Sequence, residues 1–302
     1  MRERSPSATA QVVARGVLLT AMNPAFQHLL PESVAAITAT LLQECSRKGA
    51  LSTRLMSSAF YRRLLYIAER FTIPGIALHY VLRKRSIENA VRQGIDSGAM
   101  QVVVIGAGFD TLALRLGNEF PHVRFIEIDH PATQEVKRKV VEKKSCILSP
   151  PNFHFLSVDL TKRSLDVVLN NCSDFQPGTQ TIFIAEGLTM YLTSDEVALL
   201  FKTLRANGSN GSRIIFTFME RDSEGKVNFP SATSFVNLWL KLKGEPFQWG
   251  IKREHVVEWL GQLDIVLNEI VDTDKLLQRY LPNIATQTTP PARGEFVCIA
   301  QW

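Results

Sequence analysis

The chain has 302 residues, 45% hydrophobic and 21% charged, an ordinary globular composition with enough length for one large α/β domain or a domain plus a cap. Its net charge of +5 is spread along the chain, with Arg83-Lys84-Arg85 as the densest basic cluster, so the concentrated stripe that a nucleic-acid backbone demands is missing. No apolar run reaches the roughly eighteen residues of a membrane span, and the four cysteines (Cys45, Cys146, Cys172, Cys298) show neither CxxC pairing nor metal-ligand spacing.

The N-terminus reads as a polar tail leading into an amphipathic helix, because Arg15 interrupts its apolar part and no cleavage site follows. Up to about residue 97 the pattern is helical. Apolar residues recur at helical spacing through Ser33–Cys45, Leu55–Phe71 and Ile76–Val91, Pro24, Pro31 and Pro74 punctuate them, and Gly94 and Gly98 end the pattern. These residues, 1–97, are expected to form a helical cap.

At Met100 the texture changes. Gln101–Ile105 is a β-branched run of the kind buried on both sheet faces, followed by a glycine turn and a helix beginning at Thr111–Leu116. Val123–Ile128, Phe153–Val158, Thr181–Ala185 and Arg213–Phe218 read as further strands, with helices over about Pro131–Lys144 and Ser194–Ala206. Alternating strand and helix signals a parallel sheet covered on both faces. From about 220 to 250 the pattern loosens into an insertion carrying Trp239, Phe247 and Trp249, with a helical piece near Ser234–Leu242. These aromatics are expected to line an apolar acceptor pocket. His255–Leu263 is a helix, and Ile265–Ile270 and Glu295–Gln301 are late strands with no helix of normal length expected between them, which predicts an antiparallel addition at the sheet edge. The expected fold class is therefore Rossmann-like α/β over 98–302.

The segment VVVIGAGFDT carries the strongest local chemistry. Gly106 permits a tight turn after the strand, Gly108 lets backbone approach a ligand, and the following helix presents its N-terminal amides. Asp110 or Thr111 can cap that helix. Asp129 ends the next strand, where an acidic residue accepts from ribose hydroxyls, although it can equally cap the helix starting at Pro131. Glu127 lies on the same face. Dinucleotide sites favour a third glycine where this chain has Thr111, so the turn leans toward S-adenosylmethionine, which has no pyrophosphate. Asp159 follows the third strand, where it can face an adenine amino group or cap a helix. Glu186 follows the fourth, within reach of a ligand ammonium, or serves as a buried ion-pair partner.

Taken together, VVVIGAGFDTLALRL, FIEIDHPATQEVKRKVV, VDL and AEGLTMYL resemble the leucine carboxyl methyltransferase-like family, which includes bacterial S-adenosylmethionine-dependent methyltransferases and polyketide O-methyltransferases. The resemblance runs from about Tyr80 to Thr203. It implies a seven-stranded methyltransferase sheet, mostly parallel with an antiparallel last strand. It also implies that Gly106, Ala107 and Gly108 line the cofactor, Asp129 binds the ribose, Asp159 and Leu160 flank the adenine, and Glu186 lies near the amino-acid end. Arg83, with Arg85 next, is expected to hold the cofactor carboxylate through its two-pronged donor fork.

The function expected is methyl transfer from S-adenosylmethionine to a carboxyl or hydroxyl oxygen of a small-molecule, polyketide-like acceptor. No nucleic-acid, membrane or metal partner and a cytoplasmic location are expected. An ionised carboxylate needs no general base, and none of His79, His130, His154 and His255 has a partner by spacing, so no catalytic base is named. A nicotinamide-dependent oxidoreductase on the same fold, a Rossmann-like scaffold without enzymatic activity, and methylation of a protein C-terminal carboxylate remain the alternatives.

Overall fold

The computed structural model of the protein describes residues 6–143, 150–282 and 290–302, with the side chains of 47 and 48 left aside; Cys146 and Lys144 lie outside these ranges. Seven strands form one sheet: β1 (Gln101–Ile105), β2 (Arg124–Asp129), β3 (Phe153–Ser157), β4 (Thr181–Ala185), β5 (Arg213–Met219), β6 (Val266–Val271) and β7 (Glu295–Gln301). Their order is β3-β2-β1-β4-β5-β7-β6. The strands β1 to β5 pair in parallel, whereas β7 runs antiparallel to both β5 and β6.

The period-two pleat sorts β1 between two cores. Val102 and Val104 join a cluster under the helix α5 (Ile76–Asp96), while Val103 and Ile105 join the opposite one. On β4, Ile182 and Ile184 sort with the former, and Phe183 and Ala185 with the latter. All five residues of each strand are buried, as expected of a central strand covered on both faces.

Before β1 the chain is helical, with α1 (Ala8–Ala21), α2 (Glu32–Cys45), α3 (Arg47–Leu55), α4 (Ala59–Arg70) and α5. The helix α1 packs along α5, where a Cβ added at Gly16 would lie 2.9 Å from Tyr80. The expected break at Gly94 is absent. Gly94 stays inside α5 because a Cβ there would meet Ile182 at 2.5 Å, so its missing side chain lets the helix lie against β4. Between the strands lie α6 (Leu112–Glu119), α7 (Pro131–Lys143), α8 (Leu165–Asn170) and α9 (Ser194–Asn207), followed by α10 (Ser234–Lys243), α11 (Val256–Gly261) and α12 (Thr273–Tyr280).

The late strands differ from expectation in one respect. The helix α12 stands between them, capped by Asp272 Oδ1 accepting from the Lys275 amide. The antiparallel strand β7 then inserts between β5 and β6, leaving β6 as the edge. Among the described residues no helix is long and apolar enough to cross a membrane.

Candidate cofactor site

The site lies at the carboxyl ends of β1, β2 and β4, beside the point where the strand order reverses, the place where open α/β sheets bind ligands. After Ile105 the chain turns through Gly106 at φ +69° and Gly108 at φ +52°, both in the left-handed region that side chains disfavour. A Cβ at Gly106 would meet Leu188 at 3.2 Å, and one at Gly108 would meet Ala10 of α1 at 3.3 Å. The turn therefore lies close against Leu188 on one side and α1 on the other.

Asp129 sits directly across this turn. Its Oδ2 accepts from the Gly108 amide at 2.5 Å and its Oδ1 from the His130 amide at 2.6 Å. Burial pushes the Asp129 carboxyl up, and these two amides and Lys137 oppose the rise. Glu127, the weaker ribose candidate, is spoken for. It forms a buried pair with Lys137, at 2.6 Å, and burial outweighs Lys137 to push Glu127 up to about 7. Asp110 settles the capping alternatives at α6, its Oδ1 accepting from the amides of Thr111 and Leu112.

On the other side of the turn α5 contributes two cations. The Arg83 guanidinium donates through Nε to Glu186 at 2.9 Å and through Nη1 to both oxygens of Glu295 at 2.8 and 2.7 Å. Lys84 Nζ lies 3.0 Å from Asp110 Oδ2 and 3.1 Å from Glu186 Oε1. Burial works against the charge on Lys84, but Asp110 and Glu186 win and hold its pKa above the ordinary value. The Asp110 carboxyl is held below its usual range, because Lys84, Lys137 and the Leu112 amide outweigh its burial. Glu295 falls to about 2, with Arg83 and the His79 hydrogen bond outweighing burial. With three carboxylates (Asp110, Glu186, Glu295) and two cations (Arg83, Lys84), the cluster carries net −1.

The structure thus joins Arg83 to Glu186 and Gly108 to Asp129. Asp159 stands further out, its side chain turned onto Thr161 and 3.7 Å from His130 Nε2, and Leu160 is exposed. Sequence reasoning missed Lys84, Glu295 and the link from Glu245 to α1. A lysine between two arginines on a helix reads as a solvated face, and Glu295 lies 212 residues from its partner, so neither had a local signal. Of the histidines, His79 gains a buried partner, its Nε2 lying 2.8 Å from Glu295, while its Nδ1 is buried without one.

The start of α1 is fastened over the site. Glu245 accepts from Ser7 Oγ and the Thr9 amide, each at 3.2 Å, and from Thr9 Oγ1, while the Ser7 amide donates to Thr133 of α7. The aromatics of the 220–250 segment divide. Phe247 lies tilted against Tyr191, ring centres 5.5 Å apart, and meets Phe229 edge to face at 6.3 Å, and Phe229 in turn lies edge-on to His79. Trp249 does not join them but is buried against Trp259 in the core on the other face of the sheet, so its expected place in an acceptor pocket is corrected. Trp239 is half-buried against the α5-side core. Two clefts, of about 620 Å³ along the β6 edge and about 410 Å³ between α1, α4 and α5, lie away from the glycine turn.

A family model described as leucine carboxyl methyltransferase matches residues 20–205. A Bacillus subtilis protein named "Putative S-adenosyl-L-methionine-dependent methyltransferase YktD" is 26% identical over 65% of this chain and 64% of its own length. Leucine carboxyl methyltransferase 1 of Caenorhabditis elegans is 28% identical over 46% of this chain and 48% of its own. The chain thus spans less than two thirds of the length of these relatives. Among solved structures, a DUF574 family protein of Streptomyces avermitilis superposes with a TM-score of 0.60 at 9% identity, covering 98% of this chain and 97% of that one. A Thermobifida fusca protein described as a putative methyltransferase gives 0.59 at 15% identity, covering 87% and 93%. At such identities these two likenesses establish the fold.

Proposed function

The chain belongs to the leucine carboxyl methyltransferase family, and on that premise we propose that it transfers the methyl group of S-adenosylmethionine to a carboxyl or hydroxyl oxygen of a small-molecule, polyketide-like acceptor. The observation that carries this reading is the Asp129 carboxylate held against the Gly108 amide across a left-handed glycine turn. In this reading Asp129 accepts from the ribose hydroxyls, Gly106, Ala107 and Gly108 face the methionine portion, Asp159 and Leu160 flank the adenine, and Glu186 faces the ammonium. Arg83 and Lys84 together serve the cofactor carboxylate, Lys84 being the more accessible, with 14% of its side chain exposed against 5% for Arg83. The net −1 of the cluster complements the net +1 of a sulfonium, an ammonium and a carboxylate, which supports the assignment.

S-adenosylmethionine supplies a methyl group already activated on sulfur. The protein's own part is to hold the acceptor oxygen in line and exclude water. Residues 1–97 act as the cap in this reading. Ala10 covers Gly108, and Glu245 fastens the first turn of α1. Phe247, Tyr191 and Phe229 supply apolar surface on the acceptor side. A carboxylate acceptor is ionised at neutral pH and needs no base, and no catalytic base is assigned. The free thiols of Cys45, Cys172 and Cys298 support a reducing, cytoplasmic setting. Family membership leaves the nicotinamide and scaffold alternatives without support.

The acceptor reading is tested by incubating the protein with S-adenosylmethionine labelled in the methyl group and two sets of acceptors. One set holds small aromatic acids and phenols; the other is a peptide ending in a leucine carboxylate. Label in the small molecules is the expected result. Label in the peptide alone would move the acceptor to a protein chain end.

A further inference from the structure

Helix α4 has no fully buried residue: Tyr61 and Leu65 pack half-buried on the core, and its other side is exposed. Phe60, Leu64 and Ile67 on α4 and Phe71 at its C-terminal cap recur at four, three and four residues, one helical stripe, with Phe60 72% and Phe71 74% exposed. A second stripe, Phe235, Leu238 and Leu242, lies exposed on α10. The chain joins these helices: Thr233, at the start of α10, donates to the Thr72 carbonyl at 3.1 Å and the Phe71 carbonyl at 3.2 Å. On the other side α3 meets α4 through Ser52 and Tyr61, adding exposed Leu51 and Leu55. Exposed apolar residues concentrated on three linked helices mark a docking face.

The exposed charges on these three helices have one sign. Arg54, Arg63, Arg70, Lys241 and Lys243 are exposed on the same helices, and none forms an ion pair among the described residues. Residues 46–72 contain a single acid, Glu69, and residues 233–245 a single acid, Glu245. Both are turned inward: Glu69 is half-buried beside the amides of Gly75, Ile76 and Ala77 at the start of α5, which oppose the rise that burial gives its pKa, and Glu245 holds Ser7 and Thr9. What remains outward is phenylalanine, leucine and isoleucine rimmed by arginine and lysine.

We propose that α3, α4 and α10 form a peripheral docking face that lies in the headgroup layer of an anionic lipid bilayer. The apolar stripes enter the acyl boundary while the basic side chains meet lipid phosphates and carboxylates, the pattern of helices that lie on membranes without crossing them. A second copy of the chain fits this face poorly, since a two-fold contact would set its cations against themselves. The sequence expectation of no membrane partner rested on the absence of a spanning segment, which does not bear on surface docking.

The test is co-sedimentation of the full chain with vesicles of phosphatidylcholine and phosphatidylserine, against vesicles of phosphatidylcholine alone. Binding to the anionic vesicles is expected to be at least about tenfold stronger and to fall steeply with salt. The triple variant Phe60→Ser/Phe71→Ser/Phe235→Ser and the double variant Arg63→Glu/Arg70→Glu should each lose about tenfold or more, with melting temperature preserved because these side chains are exposed. Absence of binding to the anionic vesicles overturns the proposal, as does binding that both variants retain. A dimer in sedimentation velocity that the triple variant splits assigns the face to a second copy and also overturns it. Retention on polyglutamate without vesicle binding assigns it to an acidic protein, with the same consequence.

Discussion

Arg83 and Glu295, 212 residues apart, meet in a buried pair in which one guanidinium nitrogen donates to both carboxylate oxygens at 2.8 and 2.7 Å. The contact ties the helix before β1 to the first residue of the inserted strand β7 and holds Arg83 beside Glu186. Removing one partner of such a pair leaves an uncompensated buried charge. Glu295→Ala is therefore expected to lower stability by about 3–5 kcal/mol in urea unfolding at neutral pH. The double change Arg83→Met/Glu295→Leu, which removes both charges, should recover most of that loss.

Two carboxylates give the stability–pH profile opposite slopes. Glu295 is held at about 2 against an ordinary 4.5, so its contribution is complete above 4.5 and lost as pH falls toward 2. Glu127 is pushed from 4.5 to about 7, so between those values the unfolded state binds fewer protons and stability falls as pH rises. Unfolding curves across this range should show Glu127→Gln flattening the decline between 4.5 and 7 while leaving the acid limb in place.

Gly106 has φ +69° and room for a Cβ only at 3.2 Å from Leu188. Gly106→Ala is expected to cost about 1–2 kcal/mol of stability from the left-handed backbone alone. It should weaken S-adenosylmethionine binding further, as the added methyl group fills the turn. Thermal unfolding with and without cofactor separates the two effects, and a full cofactor-induced shift in the variant would remove Gly106 from the site.

Glu245 holds the first turn of α1 through Ser7 and Thr9. Glu245→Ala should raise amide exchange at the start of α1, leave the sheet amides protected, and raise the KM for the acceptor more than it lowers kcat. Unchanged exchange in α1 would show that packing on α5, and not Glu245, holds the cap.

The central sheet and the glycine turn were legible because their signals are local. Val102–Ile105 is a continuous apolar run in a strand with every residue buried, Gly106 and Gly108 follow that strand directly, and Asp129 ends the next one. What sequence could not give arises from contacts across the fold. Phe247 and Trp249 are two residues apart, yet one joins the aromatic group near His79 and the other enters the opposite core. Gly94 reads as a breaker until its closeness to Ile182 shows why a helix keeps it. The stripe Phe60–Phe71 has the period of a helix that packs on a core, and only the fold shows that this face packs on nothing described.

Calorimetric titration with S-adenosylmethionine, and with its demethylated product, tests the central claim most directly when run on the native chain and on Asp129→Ala. The account predicts one site per chain in the native protein and an affinity about 10- to 100-fold weaker in the variant, the loss of a charge-assisted hydrogen bond to the ribose. No binding of either compound to the native chain, or equal affinity in the variant, would contradict it.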